Sequence, residues 1–411
     1  MSRVYVNKKK ARVNLSKDIH QLVQAKTYDV LTHGITLSRL NAHAVHIVNT
    51  LWKSGYPSYL VGGCVRDLLC GVVPKDFDIV TQAKPEQVKR LFRRSRIIGR
   101  RFKLVHVYAH QEVFEVITFR GVATLWQRIW WRLFSKKMQT NNVYGTIDQD
   151  VMRRDFTINS LYYDIRSETI IDYVGGYEDL CKRRICFIGD DKVRVEEDSM
   201  RILRALRYSA KTGFEIKAPL QSCLKSHVDL ILNQSKDRLF VDFSKFFMQA
   251  FSKRGMHLLL RYGVLNKLLS GYDNCYKDPE VKAFLDHLMQ SNDNSMRQNK
   301  PMSRSLFYAG LLLPLIQKIG QNDHHHGSSL AVYNRDIKRV WQVISTRIKF
   351  PRRLQEEIMV IWRIQFMITQ GNLDIQQELS LHPRYKSALK MLNMRALVNA
   401  KLADDLLAWD L

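Results

Sequence analysis

Two aspartates one residue apart, Asp76 and Asp78, lie in the stretch 59–80, YLVGGCVRDLLCGVVPKDFDIV. In a strand, residues two apart point to the same face, so the two carboxylates present together while Phe77 turns into a core. Hard oxygen ligands in that arrangement suit Mg²⁺, which takes one or two carboxylates plus substrate phosphates. Just upstream, Gly62 and Gly63 let the backbone approach a ligand closely, and a helix begins there. Free N–H groups at a helix start bind phosphate. An Asp-x-Asp or a glycine pair alone is an ordinary surface feature. Here strand, glycine pair, helix, Arg66-Asp67 and a second apolar strand follow in order, which reads as a phosphate cradle beside a metal site.

The elements that must hold these residues follow from periodicity. Residues 41–54 read as an amphipathic helix leading into a strand at 59–61, with a second strand at 77–80. Pro85 opens a helix from the first helical position. Residues 104–109 and 113–119 read as a hairpin, as do 161–165 and 169–172 with a turn at 166–168. This is a mixed α/β head ending near Gly176. Beyond about residue 195 the pattern turns helical. Leu203, Leu206, Arg207 and Ala210 keep a helical period, as do Leu239, Phe243, Phe246 and Phe247. Residues 1–40 are basic and weakly patterned, an arm whose Lys8, Lys9, Lys10 and Arg12 are either solvated or in contact with RNA. Residues 321–329, QNDHHHGSS, read as a solvated linker.

A chain of 411 residues has the length for two or more domains. Its 65 Lys and Arg against 39 Asp and Glu give a net charge of +26. That excess calls for a polyanionic partner, nucleic acid being the one that suits a nucleotide site and an anionic membrane the rival. No run approaches the roughly 18 apolar residues of a membrane span, and residues 1–18 lack the apolar centre of a secretory signal. Six cysteines without a CxxC pair read as buried thiols in a reducing cytoplasm rather than a zinc site or disulfide framework.

Further segments carry charge in patterns that suit the same chemistry: EVITFRG (115–121), RRDFTINSLYYD (153–164), DYVGGYEDL (172–180) and EEDSMRILRALRYSAKTGF (196–214). With LVGGCVRDLLCG and PKDFDIVT they resemble, in order, the class II nucleotidyltransferases, the family of bacterial poly(A) polymerases and CCA-adding tRNA enzymes. The resemblance implies an α+β fold. A nucleotidyltransferase head with a mixed, largely antiparallel sheet flanked by helices (41–176) would follow the arm (1–40). A helical neck (177–265) and a helical body and tail (266–411) would come after it.

It also implies roles. Asp76 and Asp78 would hold Mg²⁺, two ions serving the attacking hydroxyl and the triphosphate. Glu115 is the candidate third carboxylate. It sits in an apolar run, where a buried charge needs either a cation or an ion pair such as one with Arg120. Gly62, Gly63, Arg66 and Asp67 match the triphosphate-binding turn, although Arg66 could equally pair with Asp67. Arg153, Arg154, Asp155 and Asn159 match the motif for ribose and triphosphate, where carboxylates accept from hydroxyls and arginines neutralise phosphates. Glu197, Asp198 and Arg201 match the element that reads the incoming base. Asp198 and Arg201, three apart on a helix, would share a face and offer acceptors and donors, or simply pair with each other. Arg204 and Arg207 continue that face.

Two basic stretches are candidates for RNA. The first holds Lys89, Arg90, Arg93, Arg94, Arg96, Arg100, Arg101 and Lys103 without an acid among them. The second, LWQRIWWRLFSKK (125–137), carries a tryptophan stripe on which bases could stack, or which packs in a core, a partner groove or a membrane surface. KPEQVKRLFRRSRIIGRRFKLVHV, YGTIDQDVMRRDFTINSLYYD and HPRYKSALKMLNMRALV are similar to the poly(A) polymerase branch, as is the extended arm. Departures are Asp242 in place of the usual glutamate between Arg238 and Lys245, and an end without a basic extension. The expected activity is template-independent addition of AMP from ATP to RNA 3′ ends with Mg²⁺, in the cytoplasm, with RNA-degradation or helper proteins as candidate partners. CCA addition to tRNA is one alternative, and an RNA-binding relative without catalysis the other.

Overall fold

Eight short strands form one sheet in the first of two units, Met1–Lys182. The computed structural model describes residues 24–99, 103–121, 143–322, 329–370 and 376–403. In sequence the strands are β1 (Lys26–Tyr28), β2 (Ser58–Val61), β3 (Asp78–Thr81), β4 (Ser95–Ile98), β5 (Leu104–Ala109), β6 (Glu112–Thr118), β7 (Leu161–Asp164) and β8 (Thr169–Asp172). Their order across the sheet is β1-β8-β7-β2-β3-β6-β5-β4. Every pair is antiparallel except β3 with β6, so the sheet is mixed and largely antiparallel.

Alternation of side chains splits the sheet into two faces. On one, Val61, Val80, Phe119, Tyr162 and Val151 from the Ile147–Arg153 helix form a core cluster. On the other, buried Leu60, Ile79, Val116 and Tyr163 form the second apolar layer, and the helices Ala42–Lys53 and Gly63–Leu69 pack against the central strands. The first of those helices buries Ala44, Ile47, Val48 and Leu51 on one stripe, and Asn41 caps its start by accepting from the His43 and Ala44 N–H groups.

Both expected hairpins are present, to within a residue or two at their ends. Two strands were not foreseen. β1 falls in the stretch expected to be an arm, yet pairs with β8 at the sheet edge, followed by a one-turn helix Val30–His33. Its three residues, Lys-Thr-Tyr, are mostly exposed and too few to show a period. β4 is masked by its arginines: Ser-Arg-Ile-Ile alternates too briefly to stand out from the basic run. A further difference concerns Asp76. The strand begins at Asp78, so Asp76 lies in its extended approach, exposed, with Phe77 buried between the two acids.

The second unit, Arg183–Leu411, is helical throughout its described residues. Leu203, Leu206, Ala210, Leu239, Phe243, Phe246 and Phe247 are all buried, as their period requires. The element containing Glu197 and Asp198 differs from the single helix expected. One helix, Asp191–Glu197, ends there; Asp198 is extended (φ −152°, ψ 96°), and a second helix, Met200–Thr212, begins after Ser199. Among the described residues no helix is long and apolar enough to cross a membrane.

Candidate functional site

Register places the head carboxylates. Val61 lies opposite Asp78 in the antiparallel β2–β3 pair. In the parallel β3–β6 pair Ile79 lies beside Val116, which sets Asp78 beside Glu115 on the same face. Asp78 is half-buried at the rim of the core cluster. Burial pushes its carboxyl up to about 6, the neighbouring Glu115 and Asp76 charges push the same way, and Arg154 opposes them. Glu115, expected to be buried, is instead 47% exposed, and its partner is His106 at 3.7 Å rather than Arg120. The reason is strand parity: Phe114 and Val116 take the apolar side of β6 and leave Glu115 outward.

Gly62 closes one side of this carboxylate group. It adopts φ +80°, a conformation that L side chains rarely accept, and a Cβ there would stand 3.4 Å from Asp78 Oδ2 and 3.9 Å from Arg154 Nη1. The helix Gly63–Leu69 begins directly after it with no side-chain cap. Arg66 points away from solvent: it is 1% exposed and donates to Asp67 Oδ1 (2.6 and 2.9 Å) and to Asn159 Oδ1 (2.5 Å). Arg66, Asp67 and Asn159 are thus brought together, and Arg66 fixes the turn to the 157–159 segment. That segment is braced from the DYVGGYEDL stretch. Asp172 accepts from the Val174, Gly176 and Tyr177 N–H groups, Asp179 accepts from Thr157 Oγ1, and a Cβ at Gly176 would lie 2.2 Å from the Thr157 carbonyl.

Arg154 lies beside Asp78, with Arg153 and Arg120 among its neighbours. Arg154 donates from Nε and Nη2 to Asp150 Oδ2 (3.0 and 2.9 Å) and from Nε to Tyr162 Oη (3.0 Å), while Tyr162 Oη donates to the same Asp150 oxygen at 2.8 Å. Burial opposes the Arg154 charge, but Tyr162 and Asp150 outweigh it and keep the group protonated. Arg153 donates to the Gly121 carbonyl at 2.6 Å, and the Arg120 backbone N–H donates to Asp150 Oδ1. Burial and the neighbouring Arg153 charge pull the Arg120 guanidinium down. Asp155 is half-buried next in sequence. Asp150 and Tyr162 were not among the residues singled out from sequence, although Asp150 and Arg154 stand four apart in a helical spacing that could have flagged the pair.

In the second unit the helix break rearranges the residues expected to read the base. Arg201 pairs with Glu197 (2.9 Å) rather than with Asp198, and is 9% exposed. Asp198 instead accepts from Arg204 (2.7 Å) and Arg238 (2.9 Å) through Oδ2. Burial works against its charge, but Arg204 and Arg238 hold its carboxyl below the usual carboxylate range. Arg238 is itself held by Gln234, whose amide also donates to Ser199 Oγ. Arg207 lies over the Tyr208 ring. Lys245 donates to Asp242 at 2.6 Å.

Of the expected RNA contacts, Arg93 and Arg94 are exposed before β4, and Lys103 pairs with Glu86 at 3.3 Å. Arg100, Arg101, the 125–137 stretch, Lys8–Lys10, Arg12 and the histidines of the 321–329 linker lie outside the described residues. Among the described residues no group of three or more His, Cys, Asp or Glu side chains is close enough to hold a metal unaided. The chemistry of the donors fits Mg²⁺ all the same: a half-buried carboxylate pushed up by burial, neighbouring acids at Glu115 and Asp76, and a backbone approach at Gly62 that a Cβ would crowd, with phosphate and water expected to complete the ligands.

Comparison with known proteins bears on all of this. Residues 58–186 match the poly A polymerase head domain, 213–276 the probable RNA and SrmB-binding site of polymerase A, and 328–410 the polymerase A arginine-rich C-terminus. The poly(A) polymerase I of Escherichia coli O6:H1 is 33% identical over 387 residues, covering 90% of this chain and 82% of that protein. The CCA-adding enzyme of Bacillus pumilus is 34% identical over 218 residues, covering 53% of this chain and 52% of its own. The Thermotoga maritima CCA-adding enzyme solved in complex with tRNA shares the fold at a TM-score of 0.59 and 20% identity, covering 93% of this chain and 82% of that one.

Proposed function

The chain belongs to the poly(A) polymerase family, and from that premise we propose that it is a template-independent polynucleotide adenylyltransferase, adding AMP from ATP to RNA 3′ ends with release of pyrophosphate. The observation that carries the reading is the extent of the sequence match: sequence likeness to poly(A) polymerase I runs over 90% of the chain, whereas sequence likeness to the Bacillus pumilus CCA-adding enzyme covers about half of it. All six cysteines are free thiols, which supports a reducing compartment such as the cytoplasm.

Asp76 and Asp78 would hold Mg²⁺, with Glu115 alongside. Bound there, Mg²⁺ supplies a lowered pKa for the attacking 3′-hydroxyl and neutralises charge on the triphosphate. The chain's own contribution is orientation. Arg154, locked by Asp150 and Tyr162, presents positive charge beside Asp78, and the neighbouring Arg153 and Arg120 are the proposed further contacts for a triphosphate lying in line with the attacking oxygen. Gly62 and Gly63 keep that ground free of side-chain bulk. Asp155 is the candidate acceptor for a ribose hydroxyl. Buried Arg66 acts by holding Asp67 and Asn159 in place rather than by touching phosphate. Asp198 and Arg201, each fixed by its own partner, are the proposed readers of the base.

Incubation with a generic RNA and each nucleotide separately tests the proposal. Lengthening with ATP alone as a ladder is the expected result; failure to lengthen with ATP sinks it. The shared fold with CCA-adding enzymes supports the second reading. A truncated tRNA given CTP and ATP would then be extended only to a CCA end. Replacement of Asp76 and Asp78 by alanine separates catalysis from binding, since extension should vanish while salt-sensitive RNA binding persists.

A further inference from the structure

We infer that the open face of the sheet beside Asp78 receives the 3′-terminal nucleoside of the RNA, with Tyr108 as the ring on which its base stacks. This rests on the adenylyltransferase reading and names where the attacking strand lies. Register builds the surface from the same pairs that set Asp78 beside Glu115. His106 lies opposite Glu115 and Arg96 opposite His106, so one row of side chains runs from β3 to the sheet edge on a single face. A second row beside it holds Val113, Tyr108 and Arg94, whose carbonyl accepts from the Tyr108 N–H at 2.9 Å. Three strand spacings, about 14 Å, separate β3 from the edge strand β4.

The two faces of β5 and β6 differ sharply. On the side away from Asp78, Val105, Val107, Phe114 and Val116 are no more than 3% exposed. On the Asp78 side Tyr108 is 37% and Val113 48% exposed, and Arg94 and Arg96 are exposed as well. The solvated face of an antiparallel sheet is ordinarily polar, so an aromatic ring and a valine left open next to a group of carboxylates call for an apolar, flat occupant. The ring is also held in place. His106 and Tyr108 meet edge to face, with centroids 6.4 Å apart at 81°, and His106 is in turn paired with Glu115. Tyr108 thus offers a steadied π-face, flanked by the arginines that suit phosphate.

The direction of the reaction selects the occupant. In phosphoryl transfer the attacking and leaving oxygens stand roughly in line on opposite sides of the phosphorus. Gly62 follows β2, and Arg154 is tied to Tyr162 on β7, so both lie to one side of β3 in the sheet order. A triphosphate held there sends pyrophosphate out on that side. The 3′-hydroxyl must then arrive from the other, over β6 and β5, and the nucleoside that carries it falls on Tyr108. Arg94 and Arg96 at the sheet edge meet the phosphates behind it. Stacking tolerates any base, which suits an enzyme that starts on whatever nucleotide ends the RNA and continues on adenosine.

The test places 2-aminopurine, a base whose fluorescence is quenched on stacking, either at the 3′ end of an RNA or in its interior. Binding to the full chain without ATP should quench the terminal probe and leave the interior one nearly unchanged. Tyr108→Ala should abolish the terminal quench and Tyr108→Phe should keep it. In steady-state extension Tyr108→Ala should raise the KM for RNA by about 5–30-fold, the loss of one stacked base, with the KM for ATP unmoved. An RNA ending in an abasic nucleoside should bind wild type and Tyr108→Ala alike. If Tyr108→Ala melts early, Tyr108→Leu, which keeps bulk without a π-face, carries the test. A terminal quench that is absent in the wild type or survives in Tyr108→Ala and Tyr108→Leu overturns the inference and leaves the face to a protein partner. A rise in the KM for ATP instead of RNA overturns it equally, since the incoming nucleotide would then occupy the surface. A Tyr108-dependent terminal quench without any extension by ATP would sink the adenylyltransferase reading and leave the stacking site standing.

Discussion

Asp78→Asn should make the protein more stable, and by an amount that depends on pH. Burial raises the Asp78 carboxyl from an ordinary 3.8 to about 6, so the folded state holds its proton more tightly than the unfolded chain does. The sign follows from linkage. Below about pH 3 both states are protonated and the aspartate costs nothing. Between about pH 4 and 6 the unfolded chain ionises this carboxylate while the folded state, where burial and two neighbouring acids disfavour the charge, keeps its proton, so stability is lost relative to the asparagine variant across that window. About two pH units of displacement at 1.36 kcal/mol each come to about 2–3 kcal/mol, complete above pH 7. For a unit of this size that corresponds to a melting temperature roughly 5–10 °C higher at pH 8. The assay is thermal denaturation of both proteins at pH 4, 6 and 8 in a chelator, repeated with Mg²⁺. Added Mg²⁺ should stabilise the wild type by binding its folded state and leave the variant nearly unmoved. A difference that does not vary with pH, or a variant less stable at pH 8, refutes the account of Asp78 as a carboxylate held ready for a cation.

Other consequences follow from the same geometry. At limiting Mg²⁺, extension should weaken as pH falls through about 6, because protons compete for Asp78; a rate profile at two Mg²⁺ concentrations checks this, the midpoint moving down as Mg²⁺ rises. Gly62→Ala forces a side chain into a glycine conformation 3.4 Å from Asp78, and should cost about 1–3 kcal/mol in urea denaturation together with the Mg²⁺-dependent stabilisation. Asp150→Ala strands the Arg154 guanidinium, and should destabilise the fold by about 3–5 kcal/mol, with Asp150→Asn milder. Arg238→Ala removes one of the two guanidiniums on Asp198 and should raise the KM for ATP by about 2–5-fold with little change in kcat, measured by steady-state extension.

What could be read from the sequence depended on how local the signal was. Hairpins 104–118 and 161–172 announce themselves by alternation over short spans, and the strands followed it. The role of Asp150 could not be read that way. Its partner Tyr162 sits on a strand that reaches the centre of the sheet by pairing with β2, one hundred residues earlier. Glu115 was misjudged because an apolar run was taken as burial on both sides, when strand parity turns alternate residues outward. The base-reader element failed for a different reason: helical spacing was assumed across Asp198-Ser199, and the ring of Ser199, Gln234, Arg238 and Asp198 that stabilises the break draws on residues far along the chain.

The lone parallel pair in the sheet carries a consequence for how the protein comes into being. Antiparallel neighbours can zip from a tight turn, but β3 and β6 are separated in sequence by β4 and β5, which lie beyond β6 at the sheet edge, so the parallel pair closes a long loop. Asp76 and Asp78 leave the ribosome early, yet their companion Glu115 and the clamp on Arg154 arrive later, and β7 must still insert beside β2. A nascent chain that stops before β6 thus has its two aspartates and no place for them to work. Assembly of the proposed site is in this sense a late folding event, timed by topology rather than by where the aspartates fall in the message.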